Sequence, residues 1–164
     1  MTRTGKFLIY GATGYTGKLT ARAAKAQGLK PILAGRSAEK VKAIADELGL
    51  EWRAFDLSET EKLDAALNEV EMVLHIAGPF SATSRLMADA CLRTNPHDLD
   101  IPGEVGVFDA LAARDAEARK AGVMLLPGVG FDVVPSDCLA AHIKRRLPDA
   151  EDLKMYIGGL YPTP

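Results

Sequence analysis

The sequence predicts an α/β fold, a doubly wound parallel sheet of the Rossmann type, and three observations carry the prediction. Apolar β-type runs alternate with amphipathic helical runs from residue 1 to residue 148. The glycine-rich stretch Tyr10-Gly11-Ala12-Thr13-Gly14-Tyr15-Thr16-Gly17 joins the first β-type run to the first helical run. Met72-Val73-Leu74-His75-Ile76-Ala77 is almost continuously apolar, as a central strand covered on both faces has to be.

Phe7-Leu8-Ile9 is the first strand, and Lys18 to Gln27 the first helix, which Gly28 stops. Lys30 to Ala34 makes a second strand, with Pro31 tolerated at its beginning, and Gly35-Arg36-Ser37 ends it. From Ala38 the apolar positions Val41, Ile44, Ala45 and Leu48 share one helical face, closed by Gly49. Leu50 to Phe55 is strand three and Asp56-Leu57 a turn. Ser58-x-x-Glu61 reads as a capping box for a helix burying Leu63, Ala66, Leu67 and Val70. Gly78-Pro79-Phe80 breaks strand four, a helix runs from about Ser81 to Arg93, and Asn95-Pro96 precedes strand five, His97 to Ile101.

Pro102-Gly103-Glu104 leads into one helix ending at Gly122, with Glu104 at the positive end of its dipole. Val123 to Leu126 is strand six. After the loop Pro127 to Asp132, Pro135 suits the first turn of a last helix whose apolar face is Leu139, Ala140, Ile143 and Leu147. Asp152 to Ile157 then alternates polar and apolar like a half-buried strand, but Gly158-Gly159 and Pro162 leave it nothing to pair with. It reads as the first strand of a missing second domain. Residues 1–148 are therefore expected to form one domain, and 149–164 the start of a truncated substrate or oligomerisation domain.

A chain of 164 residues, 48% hydrophobic and 26% charged, has the composition of an ordinary globular protein. A net charge of -2 gives no electrostatic footprint for nucleic acid or an anionic membrane, and Lys144-Arg145-Arg146 fits a solvated helix end. Cys91 and Cys138 fall in helical patterns with no neighbouring Cys or His at metal-ligand spacing, so both are expected as free buried thiols. No metal site is expected, and an intracellular, cytoplasmic location follows. No apolar run reaches the length of a membrane span.

The glycine stretch carries the chemistry. A buried strand turning sharply into a helix lets Gly11 take backbone angles closed to other residues, lets a pyrophosphate approach the main chain at Gly14, and lets the helix lie close on the sheet at Gly17. The first N–H groups of that helix, around Tyr15 and Thr16, suit an anion. The spacing G-x-x-G-x-x-G departs from the standard G-x-G-x-x-G, and its position between strand and helix is what supports a dinucleotide site that also includes Thr13.

At the end of strand two, where an acid would bond the ribose of NAD, stands Gly35-Arg36-Ser37. An Arg meets the 2′-phosphate of NADP with charge-assisted bonds and Ser37 adds a hydroxyl, so NADP is the expected cofactor. Asp56 follows strand three, from which a side chain reaches the adenine or caps a turn. Ala77, Gly78, Pro79 and Phe80 follow strand four and border the cofactor's ribose and nicotinamide side. His75 reads as a satisfied core histidine before a catalyst. Asp98 and Asp100 lie on one side of strand five; turn and cap duties suit Asp100 and Glu104 better than catalysis. No Tyr-x-x-x-Lys pair occurs, which removes the acid–base pair of short-chain reductases.

Together, Gly11 to Gly17, Ala34-Gly35-Arg36, Ala77-Gly78-Pro79-Phe80, His97 with Leu99-Asp100 and Gly103-Glu104, and Pro127-Gly128-Val129-Gly130-Phe131-Asp132-Val133-Val134-Pro135-Ser136-Asp137 resemble the NADP-binding domain of saccharopine-dehydrogenase-like oxidoreductases, especially the trans-acting enoyl reductase branch. The resemblance implies an NADP-dependent parent enzyme about twice this length or more, with a second part carrying substrate contacts and the oligomer interface, hence a small-molecule substrate and a homo-oligomer. This chain departs at Asp98, where an aromatic is usual, and at Pro102, where Thr is usual. The leading expectation is the cofactor half of an oxidoreductase that delivers hydride to an unsaturated or imine-type substrate. A non-catalytic NADP-binding sensor or regulator, or an accessory protein to a partner synthase, is the alternative.

Overall fold

The computed structural model describes residues 5–156 and residue 158. Six parallel strands form one sheet in the order β3-β2-β1-β4-β5-β6. They are β1 Phe7–Tyr10, β2 Ile32–Gly35, β3 Trp52–Ala54, β4 Met72–His75, β5 His97–Asp100 and β6 Leu125–Leu126. Helices α1 Tyr15–Ala26, α2 Ala38–Leu48, α3 Thr60–Leu67, α4 Phe80–Thr94, α5 Val105–Ala112, α6 Asp115–Ala121 and α7 Val134–Arg146 connect or follow them. The doubly wound parallel sheet is the expected architecture, and its strand order reverses between β1 and β4, which is where such sheets open a crevice.

Strand alternation sorts the core. In β1, Leu8 and Tyr10 face a cluster with Phe55, Leu63, Leu67, Met87 and Cys91, while Ile9 faces Ala21, Leu33, Val41 and Ile44. Helices α3 and α4 thus cover one face of the sheet, and α1 and α2 the other. A third cluster, Ala88 with Val107 and Leu111, seats α5 against α4.

Several local expectations fail. The Ser58–Glu61 capping box does not form: Ser58 donates both its N–H (3.0 Å) and its hydroxyl (2.7 Å) to Asp56 Oδ1, and α3 starts at Thr60 with Glu59 at its cap. The single helix before Gly122 is two helices, broken at Ala113–Arg114, where Arg114 reaches back to Asp89 on α4 and forward to Glu117.

Helix α7 buries none of its residues; Leu139 and Leu147 are 50% and 58% exposed, and Cys138 is exposed rather than buried. The apolar face read for it has no covering element among the described residues. Asp152–Tyr156, expected as a strand, forms none there, since it lies fully exposed without a partner strand. Ile157, Gly159 and Pro162 lie outside the described residues. No helix among the described residues is long and apolar enough to cross a membrane.

Candidate functional site

The turn from β1 into α1 is built by close backbone contacts. Gly11 has φ 93°, and a Cβ there would sit 2.8 Å from the Ile76 carbonyl carbon. A Cβ on Gly17 would sit 2.1 Å from the Gly11 carbonyl oxygen, so α1 lies on β1 main chain to main chain. Gly14 differs: its φ is -71°, and an added Cβ would meet only the Gly11 oxygen, at 3.5 Å. The empty space at Gly14 is therefore on the cleft side. No side chain caps α1 at Gly14, and its first turn holds no acid, so its N–H groups are left for an anion.

Two adjoining compartments open beside this turn. One, of about 330 Å³, is lined by Gly11, Thr13, Gly14, Gly35, Arg36, Ser37 and Lys40, with Tyr10, Ile76, Ala77 and Gly78. The other, of about 290 Å³, is lined by Asp56, Leu57, Pro79, Ala82, Thr83 and Leu86, and shares Tyr10, Arg36, Ala77 and Gly78 with the first. Tyr10, Arg36, Ala77 and Gly78 thus form the boundary between them. The first compartment holds two cations and no acid; the second has Asp56 and three apolar lips, Leu57, Pro79 and Leu86.

Not every residue read as part of the site lines these spaces. Tyr15 projects into solvent at 84% exposure, Thr16 accepts the Thr20 hydroxyl through its carbonyl, and Gly17 is buried as a packing residue. Phe80 turns away to pack edge-on against His75, ring centroids 5.4 Å apart, and lines a separate cleft of about 380 Å³ between α4 and α5. Ser37 caps α2, accepting the Lys40 N–H at 3.4 Å. Asp56 performs its turn duty toward Ser58, whose N–H and hydroxyl hold its carboxyl below the usual range, with Arg36 contributing. Sequence reasoning missed Tyr10, Lys40, Leu57, Ile76, Ala82, Thr83 and Leu86, which enter these spaces from elements whose placement only the fold sets.

Beneath the cleft, register sets Tyr10, His75 and Asp100 side by side across β1, β4 and β5. The Tyr10 hydroxyl donates to the Phe55 carbonyl (3.1 Å), and burial, with help from Asp56, pushes its pKa to about 12. The Thr83 hydroxyl donates to the Ala77 carbonyl (2.8 Å), so His75 Nε2–H donates to Thr83 Oγ1 (3.0 Å). His75 Nδ1 is then a buried acceptor with no partner, and burial lowers the imidazole pKa to about 4. The core histidine is only half satisfied.

Asp98 and Asp100 do share a face, and both are 1% exposed. Asp100 is no turn residue: its Oδ2 accepts the Ser84 hydroxyl (2.8 Å), its Oδ1 has no partner, and burial lifts its pKa to about 6. Glu104 stands at the α5 cap position without making a cap bond. Neither oxygen of Asp98 has a partner, and burial, reinforced by Asp100, drives its pKa well up. Among the described residues no group of acids, His and Cys could hold a metal. A larger cleft of about 490 Å³ lies away from the turn at the β6 edge, where Asp115 and Arg119 pair with each other at 2.7 Å.

Comparison with known proteins bears on the family and the fold. The chain is 31% identical over 148 residues to a trans-acting enoyl reductase of Mycobacterium leprae, covering 85% of this chain and 35% of that protein. It is 28% identical over 158 residues to the trans-acting enoyl reductase of Mycobacterium ulcerans, covering 92% and 37%. The chain thus spans little more than a third of these relatives. Apo saccharopine dehydrogenase (L-Glu forming) from Saccharomyces cerevisiae shares the fold, with a TM-score of 0.77 at 17% identity over 88% of this chain and 31% of that one. The family model of the saccharopine dehydrogenase NADP binding domain matches residues 7–126, which run from β1 to β6, and the chain belongs to that family.

Proposed function

We propose that the two compartments together hold NADP(H), and that the chain is the cofactor-binding part of an oxidoreductase acting on an unsaturated substrate. The observation that carries the reading is the first compartment, which joins an uncapped, acid-free helix start to Arg36 with no carboxylate at the end of β2. Gly11, Thr13 and Gly14 face the pyrophosphate, Arg36 and Ser37 the 2′-phosphate, and Asp56 with Leu57, Pro79 and Leu86 the adenine side. Ala77 and Gly78 border both. Gly17 acts through packing, the main-chain N–H groups of Tyr15 and Thr16 at the start of α1 face the same anion, and the Phe80 side chain stands outside the direct contacts.

Bound NADPH supplies a hydride; the chain's own residues bind and orient. The trans-acting enoyl reductases named above favour an enoyl substrate, held by parts of the whole protein beyond this unit, which also carry a homo-oligomer interface. One observation supports the alternative of a binding module without chemistry of its own: Tyr10, the phenol of the cleft, is already bonded to Phe55. Calorimetric titration with NADPH and NADH tests the cofactor assignment, with NADPH expected to bind at least about 10-fold tighter, the worth of one charge-assisted bond. Equal affinities refute it. NADPH oxidation by the full-length protein against enoyl substrates separates enzyme from binding module.

A further inference from the structure

We propose that Lys40 is a second cation for the cofactor's 2′-phosphate, acting beside Arg36 and setting the preference for NADP over NAD. The inference rests on the dinucleotide reading of the cleft. Lys40 and Arg36 line the same 330 Å³ compartment, together with Gly14, Gly35 and Ser37, and no acid lines it. The acid of the cleft, Asp56, lines only the neighbouring compartment. A phosphomonoester carries close to two negative charges at neutral pH, and one guanidinium leaves about half of that uncompensated.

Lys40 also stands where nothing in the fold calls for a cation. It sits in the first turn of α2, at the positive end of the helix dipole, where a positive side chain is disfavoured. Its ammonium makes no ion pair or hydrogen bond among the described residues; only its main-chain N–H is engaged, by Ser37 Oγ. Lys42, two positions on, is paired with Asp46 at 2.5 Å as a surface lysine of a helix usually is. Ser37 fixes the start of α2, so the stem of Lys40 leaves the helix one turn from Arg36, on the cleft side. Arg36 offers a planar fork and can also face the adenine, whereas Lys40 offers a compact charge that suits the phosphate alone.

The experiment titrates wild type, Lys40→Met and Lys40→Arg with adenosine 2′,5′-bisphosphate and with 5′-AMP at two salt concentrations. Lys40→Met is expected to weaken the bisphosphate about 10-fold, to leave 5′-AMP unchanged, and to lower the salt dependence of bisphosphate binding; Lys40→Arg restores most of the affinity. Unchanged bisphosphate affinity in Lys40→Met, or an equal loss for both nucleotides, overturns the role of Lys40 and leaves the dinucleotide site standing. A wild-type chain that takes up neither bisphosphate nor NADPH overturns the dinucleotide reading, and this proposal with it.

Discussion

Strands β1 and β5 flank β4 on its two sides, and they handle polar groups in opposite ways. In β1 the strand itself is apolar, and its polar business begins only after Tyr10, where main-chain groups meet open space. In β5 two carboxyls, Asp98 and Asp100, are buried within the strand under α4, and three of their four oxygens have no partner. Polar groups that open onto the crevice can be satisfied by a ligand, whereas polar groups buried beneath it must be satisfied by the protein or be neutralised by a proton. One side of the sheet leaves its polar groups open to the crevice, and the other buries them.

The strongest test contrasts the glycines of the β1 turn. Gly17→Ala forces a Cβ onto the Gly11 carbonyl and should destabilise the fold by about 3 kcal/mol, at the upper end for overpacking, while Gly14→Ala should stay within about 1 kcal/mol. Urea midpoints measure both. Gly14→Val should in turn remove NADPH binding, by about 100-fold or more, while circular dichroism stays native. Comparable stability losses at the two glycines would erase the distinction between a packing glycine and an approach glycine.

Next in size is Arg36→Ala, expected to weaken NADPH about 10- to 100-fold and NADH by far less, through loss of one charge-assisted contact. Calorimetry with both cofactors reads it, and equal losses would move the phosphate elsewhere.

On the β5 side, Asp98→Leu should stabilise the protein by about 1–3 kcal/mol, because it removes a buried carboxyl that nothing pairs. The pH dependence identifies the cause. Asp98 and Asp100 bind protons more tightly folded than unfolded, so the stability they contribute is complete below the unfolded carboxylate range and is lost as pH rises, through about 6 for Asp100. His75 opposes them: with its pKa lowered to about 4, its contribution is present above its ordinary 6.5 and is lost as pH falls toward 4. The difference between wild type and Asp98→Leu isolates Asp98: as pH rises above the unfolded carboxylate range, wild type should lose stability relative to the variant, by up to about 1.4 kcal/mol per unit. Denaturant midpoints of both proteins between pH 4 and 8 decide it; a difference that does not change with pH would mean that Asp98 is paired in solution.

The smallest effect is a labelling one. Cys91 packs in the core beside Asp98, with its thiol pKa pushed up first by burial, whereas Cys138 on α7 is exposed. A thiol reagent should modify one cysteine per chain quickly, and the second only as the face under α4 opens. Fast reaction of both would show that the β5 side is loose rather than strained.

Much of this was legible in the chain because it depends on local pattern. Periods of two and 3.6 located all six strands and most helices, and the alternation in β5 put Asp98 and Asp100 on one face. What escaped depends on side-chain contacts that compete with the local pattern. The break at Arg114 follows from its reach to Asp89 on α4, and the failed cap at Ser58 from the competing carboxyl of Asp56. In the cleft, Gly11, Gly14, Gly35 and Arg36 declare themselves through spacing. Lys40 and Leu86 do not, because helix geometry brings their side chains sideways into a space that other elements define.

The turn after β1 is tied down from several directions. The N–H groups of Gly11 and Ala12 both donate to the Ala34 carbonyl, at 2.9 and 3.1 Å, Gly11 presses on the main chain of Ile76, and Gly17 presses on Gly11. Such a cradle surrenders its conformational freedom once, during folding, and has little left to lose when a nucleotide arrives. Capture should therefore proceed in a single kinetic step whose observed rate climbs linearly with nucleotide concentration, without the plateau that a slow loop closure would impose.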